Sequence, residues 1–188
     1  MNTLRRLILA ALLLFGSAFS HVCQAKEPGA VAMLIGQGFL LSHLSDRRYL
    51  GLAYDWGWSK QWHVDHTWLL NGYTELAVSR WTARIGSRRL NLTDVGVTPV
   101  FRLIRTGQES MHWYLEGGIG AHLMSRTRLG PQVFSTAFQF GEFGGIGLLF
   151  GRGLRYDLDL RLVHESNGDL KTPNDGMDFV LLRLALRS

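Results

Sequence analysis

Apolar and polar residues alternate along much of this chain, and the alternation predicts β-strands. Between residues 111 and 123, apolar side chains fall at most alternate positions, beginning with Met111, Trp113 and Leu115. Between residues 154 and 164, apolar residues alternate with charged ones in the same way. A period of two sends successive side chains to opposite faces of a strand, whereas a helix repeats its apolar positions about every three to four residues. The pattern therefore favours an all-β chain.

Eight segments of strand-like length can be counted, and an even number of strands suits a closed antiparallel barrel. The sixth segment is irregular near residues 143–147, where we expect a β-bulge. No apolar stretch after residue 25 reaches the length of about 20 residues that a membrane-spanning helix needs. The predicted strands are 29–38, 47–58, 66–80, 92–104, 111–123, 134–149, 154–164 and 177–187.

The distribution of charge distinguishes a membrane barrel from a soluble one. Charged residues occupy one face of the seventh segment, at Arg155, Asp157, Asp159 and Arg161, and other polar faces are rich in glycine. An eight-stranded barrel has an interior just wide enough for side chains, so such residues can fill it as a salt-bridged polar interior. The apolar faces are long and aromatic, which is typical of contact with lipid. We therefore predict an eight-stranded antiparallel transmembrane β-barrel, with a soluble lipocalin-like barrel as the alternative.

Residues near the ends of the predicted strands indicate where the membrane interfaces lie. With an even number of strands, both termini lie on the periplasmic side, and the connections after the odd strands face outward. These outer connections are 39–46, 81–91, 124–133 and 165–176. Tryptophans are typical of membrane interfaces, and six of them lie mostly near predicted strand ends. They are Trp56, Trp58, Trp62, Trp68, Trp81 and Trp113.

Basic residues gather at the outer connections, where the barrel would face lipopolysaccharide. Arg47 and Arg48 lie at the first connection, and further arginines flank the second and occupy the third. Arginine suits bidentate contact with phosphate, so these residues are candidates for binding lipid phosphates; an ordinary solvated rim is the alternative. The candidates that we select are Arg84, Arg88, Arg126 and Lys171.

The beginning of the chain predicts export. Residues 1–25 place two arginines before an apolar run at 7–15 and end in small residues, with cleavage expected after Ala25 or Ser20. Lipid attachment at Cys23 is the weaker alternative. The barrel domain is then 26–188, and we expect it in the bacterial outer membrane. The net charge of +5 would by itself suit nucleic acid, but export argues against such a partner.

Candidate chemistry lies at the outer end of the seventh segment. His164 and Ser166 are two residues apart, so they share one face of a strand, and a histidine beside a serine is the base–nucleophile pair of acyl transfer. His164 has the parity of the lipid-facing leucines, and Asp178 has the same parity on the eighth segment. If residue 164 pairs with residue 178, the two side chains are cross-strand neighbours with Cβ atoms ~5 Å apart. A polar belt in contact with headgroups is the alternative interpretation.

The same region carries a family resemblance. Residues 164–167 read His-Glu-Ser-Asn and residues 170–176 read Leu-Lys-Thr-Pro-Asn-Asp-Gly, followed two positions later by an acidic residue. This resembles the C-terminal signature of the lipid A 3-O-deacylase (PagL) family, and weaker resemblance occurs at 54–56, 99–101 and 116–120. The resemblance implies an outer-membrane barrel that acts on lipid A through a Ser-His-Glu triad on its exterior.

Roles for individual residues follow from that resemblance. It implies that Ser166 is the nucleophile and His164 the general base, with Asp178 in the place of the family's glutamate. Asp175 and Glu165 are alternatives for the acid, although Glu165 has inward parity. Candidates for an oxyanion hole are Asn174, Asn167 and Gly168.

Other functions remain open at this stage. A non-enzymatic barrel, such as an adhesin or a structural protein, needs none of these side chains for chemistry. A barrel acyltransferase would favour an acyl pocket in the interior, for which a charged interior is poorly suited. No ligand cluster with defined spacing is apparent, so we predict no metal and no cofactor, although acidic outer loops leave calcium open. The oligomeric state, including a homodimer, is left open as well.

Overall fold

The computed structural model describes residues 29–39, 45–107 and 110–188; the expected signal peptide lies outside these ranges. Eight antiparallel strands pair in chain order, and β1 also pairs with β8, so the sheet closes on itself. No helix in the described ranges is long and apolar enough to cross a membrane. The predicted all-β, eight-stranded antiparallel barrel is confirmed. Its strands are β1 (Ala30–Gly38), β2 (Ser45–Gly57), β3 (Trp68–Ile85), β4 (Arg88–Arg105), β5 (Met111–Met124), β6 (Phe138–Phe150), β7 (Tyr156–Ser166) and β8 (Met177–Arg187).

Four short elements complete the described chain, and one of them, Trp62–His63, pairs with Leu69 and Leu70 of β3. Two-residue strands lie at Trp62–His63, Arg128–Leu129 and Gln132–Val133, and a single 3-10 turn lies at Arg152–Leu154. We call the end of the barrel where β7 ends and β8 begins the outer end, following the orientation expected from the sequence.

The two faces of the wall differ as the alternation predicts. On β7, Leu160 and Leu162 are 47% and 57% exposed, whereas the alternating residues Asp159 and Arg161 are 1% and 2% exposed. The same contrast holds on β8, where Leu182 and Leu184 point outward and Arg183 is fully buried. The apolar band therefore lies on the outside of the barrel, and the charged residues fill the inside.

Arginines in the middle of the interior are held by carboxylates from several strands. Arg161 contacts Glu75 at 3.0 Å and Glu116 at 2.9 Å. Arg183 contacts Asp55 and also Glu75, at 3.1 Å in the second case. Buried charges are tolerated when they are paired and hydrogen-bonded in this way, and removing one partner is costly. The other members of this ion network are Arg102, Asp157 and Asp159.

Above the ion network, the outer end of the interior is apolar. Trp81 is completely buried and lies 4.9 Å from Phe179 and 6.2 Å from Phe134, measured between ring centroids. Phe134 and Leu129 belong to the connection between β5 and β6, and both are buried inside the barrel mouth. This connection therefore folds into the mouth of the barrel and does not extend away from it into solvent.

Three side-chain placements differ from the sequence prediction. Trp81 is not part of an interfacial girdle, because it shares the inward face of β3 with Ser79. Arg47 is not on the outer rim; it is 9% exposed and its guanidinium donates to the sulfur of Met177. Arg155 precedes β7 and is exposed, so it does not fill the interior.

Two predictions about the strands are also wrong. The outer connection expected at 81–91 is a hairpin in which β3 and β4 stay paired up to Ile85 and Arg88. Polar residues there made the segment resemble a loop, but Gly86, with φ of +56°, allows a tight two-residue turn. The bulge expected at 143–147 is absent, since β6 keeps continuous register with both of its neighbours there.

Candidate active site

The predicted pairing of His164 with Asp178 is present at the outer end of the barrel. The two residues are register partners between β7 and β8. His164 Nδ1 lies 2.8 Å from Oδ1 of Asp178, which is a hydrogen bond, and the two side chains are 41% and 30% exposed. An imidazole held in this way has one nitrogen committed to the carboxylate and the other, Nε2, available to a second group. That arrangement suits a histidine acting as a general base.

Ser166 lies two residues beyond His164 at the end of β7. It is half-buried, and it has the outward parity of Leu160, Leu162 and His164, whereas Glu165 between the two faces inward and is 1% exposed. The outer wall therefore presents serine, histidine and aspartate side by side on one face. Of the acids considered from the sequence, Asp178 is the one that contacts the histidine.

Gly176 determines where the ring of His164 can lie. A Cβ atom at residue 176 would be 2.9 Å from Cε1 and 3.4 Å from Nε2 of His164. The glycine also has a φ of +62°, a conformation that side chains disfavour. Glycine therefore suits position 176 for two reasons: the backbone has a positive φ, and the ring of His164 occupies the space that a Cβ would fill.

The connection from β7 to β8 begins with a tight turn. Leu170 N donates to the carbonyl of Asn167 at 3.2 Å, and the residues between them, Gly168 and Asp169, both have positive φ. Both features are those of a type I′ turn. The Gly168 amide donates no hydrogen bond within the described residues, which leaves it available at the end of the strand that carries Ser166.

Asn167 holds the connection in place through hydrogen bonds. Its side chain is completely buried, and its two amide hydrogens reach the carbonyls of Phe134 and Lys171, each at 2.7 Å. Its backbone amide donates to Oδ1 of Asn174 at 3.0 Å. Asn174 donates one amide hydrogen to Asp169 and keeps the other. Of the three oxyanion candidates, Gly168 and Asn174 thus retain a donor and Asn167 does not.

The connection between β5 and β6 fixes the one between β7 and β8 from the side. Asp175 accepts a hydrogen bond from Val133 N at 2.7 Å and returns one from its own amide to the carbonyl of Val133 at 3.1 Å. Gln132 donates to the carbonyl of Gly176 at 2.8 Å, and Ser135 donates to that of Pro173 at 2.6 Å. Asp175 is therefore a tether between the two connections. Sequence reasoning could not find this support, because its members are more than about 35 residues apart.

Glu142 is a residue that the sequence analysis missed. It lies on β6, directly opposite His164 in register, and it is exposed on the outward face. Directly opposed residues have Cβ atoms ~5 Å apart, so this carboxylate flanks the histidine on the side away from Asp178. The strand period could have placed Glu142 on the outer face, but its pairing with His164 needed the register of β6.

The basic candidates fall into two groups. Lys171 lies in the β7–β8 connection, and Arg126 lies in the β5–β6 connection. Arg84 and Arg88 lie at the β3–β4 hairpin, which is on the opposite side of the barrel from β7. All four side chains are exposed. Lys171 thus belongs to the connection that follows Ser166, whereas Arg84 and Arg88 lie across the barrel from it.

An apolar groove runs along the outer wall beside the site. Its floor is formed by outward side chains of β1, β2, β7 and β8, which include Ile35, Leu50 and Val180. Val180 is two residues from Asp178 on the same face of β8. Arg48 and Arg80 also line this groove, and both are exposed. Asp46 lines it as well and accepts a hydrogen bond from Arg48 Nε at 2.7 Å, so the groove combines apolar surface with charges of both signs.

Comparison with known proteins identifies the family of the chain. A family model described as "Lipid A 3-O-deacylase (PagL)" matches residues 48–187. A Pseudomonas aeruginosa protein named "Lipid A deacylase PagL" is 31% identical over 170 residues, covering 90% of this chain and 91% of that protein. A Bordetella bronchiseptica protein of the same name is 36% identical over 108 residues, or 57% of each chain.

A solved structure shows the same fold. The structure described as "Crystal structure of the outer membrane enzyme PagL" matches with a TM-score of 0.71 and 28% identity, covering 84% of this chain and 98% of that one. The family model spans well over half of the chain, and the relative from Pseudomonas aeruginosa is matched over nearly its whole length. This chain therefore belongs to the lipid A 3-O-deacylase (PagL) family and is an outer-membrane β-barrel.

Proposed function

We propose that this protein is an esterase that removes the 3-hydroxyacyl chain from position 3 of lipid A. Ser166 is the nucleophile, His164 the general base and Asp178 the acid that orients the histidine. The observation that carries the proposal is the 2.8 Å contact between His164 Nδ1 and Asp178. His164 lies two residues before Ser166 and has the same outward parity. Membership of the deacylase family supports the choice of substrate.

The reaction runs in two steps. Asp178 accepts a hydrogen bond from Nδ1–H of His164, which leaves the lone pair of Nε2 to take the proton of the Ser166 hydroxyl as its oxygen attacks the ester carbonyl. The tetrahedral intermediate collapses by breaking the bond between the carbonyl carbon and the sugar oxygen, and His164 returns its proton to that oxygen. Water, activated by the same histidine, then releases the 3-hydroxy fatty acid from Ser166.

Negative charge on the intermediate is stabilised by donors from the β7–β8 connection. We assign this role to the Gly168 amide and the second amide hydrogen of Asn174, because both donors are uncommitted within the described residues. One donor of this kind typically contributes ~3–4 kcal/mol to transition-state stabilisation. The tether between Asp175 and Val133 keeps these donors in place.

The outer wall is a suitable place for a lipid substrate. A lipid that stays in its leaflet can present its ester, which lies at the boundary between headgroup and acyl chains, to side chains at the outer end of β7. In this proposal the groove floored by Ile35, Leu50 and Val180 accepts acyl chains, and the exposed Arg80 at its edge binds a phosphate. A barrel acyltransferase with an interior acyl pocket fits less well, because charged side chains fill the interior.

Replacement of Ser166 by alanine tests the proposal. Lipid A from cells that express the protein is analysed by mass spectrometry, and we expect the wild type to remove one 3-hydroxyacyl group and the Ser166→Ala variant to remove none. Ser87→Ala in the β3–β4 turn is the matched control and retains activity. A Ser166→Ala protein that still deacylates lipid A contradicts the assignment of the nucleophile, and a wild type without effect contradicts the function.

A further inference from the structure

A second cluster of ionisable side chains lies inside the barrel, behind the strand that carries the proposed active site. Asp94 on β4, His122 on β5 and Glu165 on β7 are 1%, 8% and 1% exposed. His122 Nδ1 lies 2.9 Å from Oδ2 of Asp94 and 3.6 Å from Oε2 of Glu165. One ligand atom from each of the three residues lies within 4.8 Å of the others. Glu165 separates His164 from Ser166 in sequence but faces the opposite side of the wall.

Two of the carboxylate oxygens in this cluster have no hydrogen-bond donor among the described residues. They are Oδ1 of Asp94 and Oε2 of Glu165, both fully buried. Burying a carboxylate oxygen without a donor is costly, so such atoms in a folded protein call for a charged or donating partner. When both carboxylates are ionised, their negative charge also exceeds what the single imidazole can balance. A bound cation removes both deficits at once.

The neighbouring strands form a niche for the imidazole. A Cβ at Gly96 on β4 would lie 2.3 Å from the ring of His122, and one at Gly141 on β6 would lie 2.5 Å from it. Any larger residue at either position would displace the ring, so its orientation depends on both glycines. Thr98 Oγ1 lies 3.4 Å from Nε2 and can accept a hydrogen bond from Nε2–H. In that tautomer the lone pair of Nδ1 is directed at the two carboxylates.

We propose that Asp94, His122 and Glu165 bind a divalent transition-metal ion, with zinc as the best match. One imidazole nitrogen with two carboxylate oxygens is a donor set that zinc accepts, and a hydrogen bond on the second imidazole nitrogen is typical of metal-bound histidine. Ligands ~2.0–2.2 Å from a tetrahedral ion are about 3.4 Å apart, and the observed separations of 2.9 and 3.6 Å lie on either side of that value.

The proposed ion has a structural role. It joins β4, β5 and β7 across the interior at the level of the active site, so that the strand carrying His164 and Ser166 is held from behind. None of the three proposed ligands reaches the outer wall, and the metal takes no part in the ester hydrolysis described above. The proposal is therefore independent of that function.

Metal binding to the purified full-length barrel in detergent tests this proposal. After treatment with a chelator and equilibrium dialysis against zinc, we expect about one zinc ion per wild-type chain by elemental analysis. Cobalt in its place should give the visible absorption bands of a low-coordinate site. His122→Ala and Asp94→Asn should abolish both signals, and Glu165→Gln should weaken them. His112→Ala, which removes a histidine at the other end of β5, is the matched control and should bind as the wild type does.

The measurement on the wild type decides the question even if a variant does not fold. A wild-type barrel that takes up neither zinc nor cobalt overturns the proposal, and the cluster is then a hydrogen-bonded group that shares protons. Equal binding by the wild type and a folded His122→Ala variant, with folding verified by circular dichroism, overturns the assignment of the ligands. Loss of binding in His122→Ala alongside retention in His112→Ala supports it.

Discussion

Replacing Gly176 by alanine should disable the proposed active site without removing any functional group. The new Cβ would lie 2.9 Å from Cε1 of His164. Carbon atoms in contact are normally ~3.5–4.0 Å apart, so the ring has to retreat by about 0.6 Å or more. Misplacement of a catalytic group by ~1 Å can cost ~100-fold in rate, so we expect kcat to fall by about 10- to 100-fold. The φ of +62° adds about 1–2 kcal/mol of backbone strain, which lowers the free energy of unfolding.

Gly86→Ala separates the two effects. Gly86 has a φ of +56°, close to that of Gly176, but a Cβ there meets nothing within 4 Å. Both variants should therefore lose similar stability in urea unfolding, and Gly176→Ala alone should lose activity in a deacylation assay with purified protein and lipid A. Equal activity of Gly176→Ala and Gly86→Ala would refute the reasoning, because the position of the ring would then not limit the reaction.

Three further substitutions test other parts of the structure. Asp178→Asn keeps the shape of the acid but favours the wrong tautomer of the histidine, so kcat should drop by ~10³- to 10⁴-fold. Glu142→Gln should change kcat less than about two-fold, and a larger loss would make Glu142 the orienting acid. Arg183→Met leaves buried carboxylates unpaired and should lower the free energy of unfolding in urea by ~3–5 kcal/mol, and a neutral result would mean that the ion network is dispensable. Asp175→Ala removes the 2.7 Å hydrogen bond that Val133 N donates to Asp175, which is worth ~1.5–3 kcal/mol. Amide hydrogen exchange in the two tethered connections should therefore become faster, and unchanged exchange would argue against the tether.

The barrel and the register at the proposed site were predictable because both depend on local periodicity. Alternation assigns each residue of β7 and β8 to a face, and matching the ends of these strands pairs residue 164 with residue 178, as the structure confirms. The charged face of β7 likewise predicts Asp157, Asp159 and Arg161 in the interior, because an eight-stranded barrel has room for side chains and little else.

Features that depend on distant residues could not be predicted in the same way. The continuation of β3 beyond residue 80 carries Trp81 into the interior, where it meets Phe134 from another connection. The tether at Asp175 and the cluster of Asp94, His122 and Glu165 likewise combine residues from different parts of the sequence. No spacing rule brings such residues together; the register of the intervening strands does.

The filled interior of the barrel has a consequence for how the enzyme meets its substrate. Ion-paired side chains fill the middle of the described interior and Phe134 is buried in the mouth, so the protein should conduct no ions when it is placed in a planar bilayer. With the proposed active site on the outer wall, substrate would reach it by lateral diffusion within one leaflet. The turnover rate should then follow the mole fraction of lipid A in the surrounding film and not its bulk molarity, and inert lipid or detergent should slow the enzyme simply by dilution in two dimensions.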